Sequence, residues 1–183
     1  MKETLVRIIL LRKYILMLTV ATCLLPFART PLAQAEAAGC AASAETRQFD
    51  YWLGDWNVGG PGASSNSKST VALTLDKCVF VETWDGGRGH AGQNVFGYSP
   101  DDHTWYGMFA DNHGRVHIFT QGTVSDGTAE FRGPSRGQNG EAVLNRVKIV
   151  RVAVDKVEQT WEKSSDNGGT WNVVFRGEYS RMR

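Results

Sequence analysis

The sequence predicts an all-β fold: a single antiparallel barrel of about nine or ten strands, reached through a short N-terminal helix or turn. Two observations carry that expectation. Short runs of alternating apolar and polar residues recur along the chain, separated by Gly-, Asp-, Asn- and Ser-rich turns. Beyond the first few dozen residues, no stretch has the 3.6-residue apolar period of a long amphipathic helix. This pattern is common to barrels and sandwiches.

The first residues stand apart from the fold. Lys2, Arg7, Arg12 and Lys13 precede an uncharged apolar run, Tyr14 to Leu25, and Ala33-Gln34-Ala35 fits a small-residue cleavage site. A run of about a dozen residues falls short of the roughly 20 that span a bilayer. Residues 1–35 therefore read as a signal peptide and 36–183 as one β-barrel domain, exported to the periplasm or beyond. An uncleaved anchor is the alternative. Cleavage removes five of the 20 basic and one of the 19 acidic residues, leaving an acidic excess of three. That balance argues against a nucleic-acid partner, which calls for a basic field. Cys23 leaves with the signal, and Cys40 and Cys78 remain as an even pair, expected to form a disulfide in an oxidising compartment. Two buried free thiols are the alternative.

Ser43 is placed to cap a short helix running toward Phe49. The stretch Phe49-Asp50-Tyr51-Trp52-Leu53-Gly54-Asp55-Trp56 then gathers four aromatics around Gly54 and feeds the first strand. A polar loop follows from Gly59 to Ser67. Val71, Leu73 and Leu75 alternate with polar neighbours, and Cys78 to Trp84 makes the next strand. Gln93 to Tyr98, His103 to Ala110 and Arg115 to Gln121 follow, with Trp105, Gly107 and Phe109 on one face. Leu144 to Val154 is the longest candidate, and Val157, Gln159 and Trp161 alternate most cleanly. Thr170 to Arg181 closes the chain.

Gly54-Asp55-Trp56 is a G-x-W at the start of strand one, resembling the motif that plugs the closed end of lipocalin-like barrels. That resemblance implies an Arg from the last strand over Trp56, with Arg176 and Arg181 as candidates and a cation–π contact of about 0.5–2 kcal/mol. Ser164-Ser165-Asp166-Asn167-Gly168-Gly169-Thr170-Trp171 resembles the Asp-box of sialidase propellers. A single copy reads as a hairpin device in which Asp166 accepts turn N–H bonds and Trp171 packs across the hairpin. The wider set is similar to a bacterial secreted family of unknown function: Cys40, then Phe49 to Trp56, Lys77-Cys78 with Glu82 and Trp84, and Ser164 to Arg181. The resemblance implies a calycin-type barrel and no particular activity.

Glu82 shares an inward face with Phe80 and Trp84. A carboxylate there either faces a ligand or pairs with Arg115, Arg146 or Arg176, because a lone buried charge is expensive. His90, His103, His113 and His117 show no H-x-H or H-E-x-x-H spacing, so no metal site is expected, although Asp111 lies near two of them. No His follows His117 to serve as a late-strand haem ligand, and no cofactor is expected. The leading expectation is a binder of a small apolar or aromatic ligand, with Glu82, Trp84, Phe96, Tyr98, Trp105 and Phe109 lining a mouth opposite the Trp56 plug. The rivals are an enzyme using Glu82 with His103 or Tyr106, and a filled barrel acting as an interaction module.

Overall fold

A computed structural model describes residues 43–61 and 63–183, all within the compact unit Glu36–Arg183. The expected signal peptide and Cys40 lie outside the described residues, and with Cys40 lies the expected bridge to Cys78. Among the described residues, no helix is long and apolar enough to cross a membrane.

The lead-in is two short pieces rather than one helix through Phe49. Helix α1 spans Ala44–Arg47, its first turn capped by Ser43 Oγ, which accepts from Thr46 N. A 3-10 turn then covers Asp50–Trp52, and its backbone ends in extended Leu53.

Eleven strands follow: β1 Gly54–Gly59, β2 Lys68–Thr74, β3 Val79–Asp85, β4 Ala91–Ser99, β5 Thr104–Asp111, β6 Val116–Phe119, β7 Gln121–Ser125, β8 Thr128–Arg136, β9 Ala142–Ala153, β10 Lys156–Ser164 and β11 Asn172–Arg181. They form one antiparallel sheet in the order β6-β5-β4-β3-β2-β1-β11-β10-β9-β8-β7, a nearly closed barrel. Strands β1 to β5 and β7 to β10 each neighbour their chain successor, and β1 also pairs with β11, so hairpin turns alternate between the two ends.

The count exceeds nine or ten because the expected strand Arg115 to Gln121 breaks at Thr120. Its first half, β6, pairs with β5 and its second half, β7, pairs with β8. At the break Thr120 N donates to Arg132 O at 2.9 Å. The wall therefore curls shut along one strand that changes partners. Two glycines permit the approach. A Cβ on Gly133 would lie 1.9 Å from the Ile118 carbonyl oxygen, and one on Gly122 would lie 2.6 Å from that of Trp105.

Inward residues follow the two-residue period of extended chain. Trp56 and Val58, Ser69 and Val71, Phe80 and Glu82, Asn94 and Phe96, and Val147 and Ile149 are all buried. One end of the barrel is packed with rings. Phe49, fully buried, touches Trp52 at 5.0 Å between centroids, Phe80 at 5.1 Å, Trp105 at 5.7 Å, and Phe96 and Phe131 at 5.9 Å.

The same end is tied by Trp56, whose Nε1 donates to Trp52 O at 3.0 Å. Arg181 lies over the Trp56 ring at 4.2 Å and its Nη1 donates to Leu53 O at 2.6 Å. Gly54 makes room for it: its φ is 125°, and a Cβ there would lie 2.3 Å from Arg181 Nη1. Arg176, the other candidate, is excluded by parity. Gly177 and Tyr179 point inward, so Arg176 points out, where it faces Glu158 at 3.8 Å. Arg181 keeps the inward parity and sits opposite Trp56 in the register.

The Asp166 segment is a hairpin between β10 and β11. Asp166 Oδ1 accepts from Thr170 N and Oδ2 from Thr170 Oγ1, both at 2.8 Å. These bonds and the one from Ser164 hold its pKa down at about 2. Trp171 packs under the Arg146 guanidinium at 4.0 Å, outside the barrel.

Candidate functional site

At the end opposite the Phe49 cluster the barrel is not filled. A pocket of about 280 Å³ opens there, just below the usual range of about 300–1,000 Å³ for small-molecule sites. The ends of β3, β5 and β10 and the starts of β6 and β11 bring its walls together. Trp84, Phe109, Trp161 and Phe175 supply the rings, Glu82, Asn94, Gln159 and Tyr179 the polar floor, and His90, Arg115, His117, Lys163 and Val174 the remaining lining.

The ring walls are mutually braced. Phe109 and Trp161 meet edge to face at 5.1 Å, His117 and Trp161 at 4.9 Å, and Trp84 and Phe175 at 6.1 Å. Trp161 Nε1 donates to buried Asn145 at 2.9 Å. A register shift opposite Trp161 and Glu162 leaves Val174 between the paired Val173 and Phe175, and this bulge brings Val174 to the pocket.

The floor is a buried hydrogen-bond network. Glu82 is 0% exposed. Its Oε1 accepts from Ser69 Oγ at 2.6 Å, and Oε2 accepts from Asn94 Nδ2 at 2.6 Å. Tyr179 Oη lies 3.0 Å from Glu82 Oε1 and 2.5 Å from Gln159 Oε1. One hydroxyl proton cannot serve two acceptors. Tyr179 donates to Glu82 Oε1 when the Gln159 amide presents its Nε2 to Tyr179 Oη, and a protonated carboxyl donating to Tyr179 Oη satisfies both contacts with the amide as placed. Burial works the same way, raising the Glu82 pKa against the opposing pull of bonds from Ser69, Asn94 and Tyr179. The Tyr179 hydroxyl is also pushed well above its ordinary value, by burial and then by the adjacent Glu82.

Among the described residues no arginine pairs with Glu82, so the ion pair considered with Arg115, Arg146 or Arg176 is replaced by bonds to Ser69, Asn94 and Tyr179. Arg146 instead meets Glu162 at 2.7 Å, and Arg115 meets Asp111. Neither proposed catalytic partner reaches Glu82. His103 lies in the turn between β4 and β5 beside Tyr98, and Tyr106 is exposed and donates to Asp102.

Near the rim, Arg115 Nε donates to Asp111 Oδ2 at 2.6 Å, and His90 Nε2 lies 3.1 Å from the same oxygen. Burial would raise the Asp111 pKa. Backbone and side-chain bonds from Arg115, with others from His90 and the His113 N–H, hold it far below the usual range instead. His90, Asp111 and His113 bring donor atoms within 4.8 Å of one another. The guanidinium of Arg115 is already on that oxygen and 2.9 Å from His90 Nε2, so an arginine charge holds the cluster where a cation would sit.

Of the six expected lining residues, Glu82, Trp84 and Phe109 border the pocket. Phe96 and Trp105 belong instead to the ring cluster around Phe49, and Tyr98 packs on Trp105 at the same end. The physical reason is position along the barrel axis: all six face inward, but at different ends. Trp161, Phe175, Tyr179, Gln159, His117 and Lys163 line the pocket as well and lie outside the sequence expectation. Their signal was the turns. Residues close to Gly86–His90, Asn112–Gly114 and Ser165–Trp171 must share one end, because up-and-down connections alternate.

No protein-family model matches this chain, and no curated protein matches it.

Proposed function

We propose that this protein is an exported, lipocalin-like barrel that binds a small apolar or aromatic molecule at the end opposite its Trp56 plug. The observation that carries the proposal is a pocket walled by Trp84, Phe109, Trp161 and Phe175 over a floor in which Glu82 and Tyr179 are bonded within the protein and Asn94 and Gln159 keep a polar atom to spare. Apolar walls with a few oriented polar groups are the general character of small-molecule sites. The modest volume favours one or two fused rings over a long acyl chain. Export rests on residues 1–35, and in the exported protein Cys40 and Cys78 form the disulfide.

Native mass spectrometry of the full chain, recovered from its exported fraction, tests this. A small organic adduct that disappears in Trp84→Leu is expected. Clean apo protein that also fails to bind N-phenyl-1-naphthylamine would overturn the reading. N-terminal sequencing should begin at Glu36, and a retained Met1 would refute export by cleavage.

A second reading, an enzyme using Glu82, is favoured by one observation: a buried carboxyl with a raised pKa at a pocket floor. Against it, both carboxyl oxygens are already engaged by Ser69, Asn94 and Tyr179. Glu82 in this arrangement orients the floor rather than meeting a ligand directly.

A further inference from the structure

We infer that the molecule taken by this pocket is an aromatic anion, its ring held between the aromatic walls and its acidic group held by Lys163 with support from Arg115 and His117. The inference rests on the binding reading above and specifies the chemical class of its ligand.

A count of charge around the pocket leads there. Glu82, Arg115 and Lys163 are the lining residues that carry full charges in their ordinary states, with His90 and His117 titratable beside them. Glu82 is fully buried, bonded to Ser69, Asn94 and Tyr179 and not to Lys163, and burial favours its neutral form, so it does not offset the lysine. Arg115 is partly offset by Asp111, which it contacts through Nε and Nη2 at 2.6 Å. Lys163 makes no ion pair among the described residues. No lining carboxylate remains to balance it. The pocket thus pairs apolar walls with an unmatched ammonium.

His117 registers the same field. Burial lowers its pKa first, and the positive charges of Lys163 and then Arg115 lower it further, against the opposing pull of Asp111. Its Nδ1 is buried without a partner among the described residues, a spare polar atom at the pocket wall. A bound carboxylate or sulfonate would compensate Lys163 and reverse the field at His117. In a site of low effective dielectric, such a charged contact contributes more than the same pair in water.

The floor sets the other half of the recognition. Gln159 is almost fully buried and lines the pocket. Its Oε1 is taken by Tyr179, and its Nε2 makes no hydrogen bond with any described residue. Asn94 Oδ1 is likewise buried without a partner among the described residues. A ring substituent such as a hydroxyl would complete them.

Isothermal titration with 2-naphthoate and its neutral isostere 2-naphthamide tests the charge preference. The naphthoate should bind about tenfold more tightly at low salt. Raising sodium chloride from about 20 to about 200 mM should erode that advantage and leave the amide unaffected. Lys163→Gln should remove most of the difference, and Lys163→Arg should restore it. Equal binding of the two probes, or a preference that survives both salt and Lys163→Gln, would overturn the anion inference and leave the binding reading intact. Failure of both probes to bind would count against the binding reading itself. The salt series on the unmodified protein decides the matter even if Lys163→Gln proves unstable.

Discussion

The two ends of the barrel start from the same material, inward-facing rings on alternating strand positions, and arrive at opposite results. At one end the 3-10 turn pushes Phe49 and Trp52 into the lumen, where they meet Phe80, Phe96, Trp105 and Phe131 with no solvent exposure at their centre. At the other end nothing comparable enters. Trp84, Phe109, Trp161 and Phe175 line the wall and leave space. The difference lies in what the chain inserts from outside the sheet rather than in the strands themselves. A barrel of this size can be filled by side chains, and here the lead-in fills only half of it.

The comparison can be broken most sharply at Phe49 and Trp52. Replacing either by Ala removes a fully buried ring that the packed end cannot replace, and the expected loss is about 3–5 kcal/mol. Chemical denaturation measures it. A loss below about 1 kcal/mol would mean that the lead-in decorates the barrel instead of plugging it.

Trp84→Leu is the matching change at the open end. Among the described residues Trp84 Nε1 has no hydrogen-bond partner, and the ring is only partly buried, so the substitution strips no bond from a described neighbour. Its stability effect should stay under about 1.5 kcal/mol, while binding of an aromatic probe falls severalfold. A stability loss as large as that of Trp52→Ala would erase the distinction between the ends.

Arg181→Met probes the tie across the plug. It removes the bond to Leu53 O and the contact with Trp56, at an expected cost of about 1.5–3 kcal/mol. Arg176→Met should change stability by less than about 0.5 kcal/mol, since that side chain lies outside. Thermal melts of the two variants would show the reverse order if the inward parity were misassigned.

The smallest effect is confined to pH. The folded-state pKa of Glu82 is raised, so the native protein holds a proton that the unfolded chain releases. Stability is then fully present below the unfolded carboxylate value, near 4.3. It declines as pH rises toward the folded value, with a limiting slope of about 1.4 kcal/mol per pH unit. Glu82→Gln imitates the protonated group and should flatten that decline, gaining on the parent protein as pH rises. A parallel pair of stability curves would show that Glu82 is charged in the fold.

Much of this architecture was legible in the residues. Ser43 reads as a cap from its place before a short helical run, and it accepts from Thr46 N. Trp105, Gly107 and Phe109 share a face because extended chain alternates, and Asp166 organises its hairpin because a carboxylate can gather turn N–H groups. The eleventh strand was not legible. Thr120 breaks a run with good strand character only because its second half must leave β5 for β8. The pocket was half legible: Glu82, Trp84 and Phe109 reach it, while Phe96, Tyr98 and Trp105 lie at the far end.

Sequence alone determined which side of each strand faces the lumen, because the two-residue period is a property of the local backbone. It also marked Gly54 and Trp56 as one unit and placed the aromatic lead-in directly before the first strand. Tertiary structure decided how far along the barrel each inward ring falls, which of two arginines covers Trp56, and that Glu82 is gripped by Ser69, Asn94 and Tyr179 instead of a cation. Those outcomes depend on strand register and closure, which join residues as distant as Glu82 and Tyr179 and which no local pattern encodes.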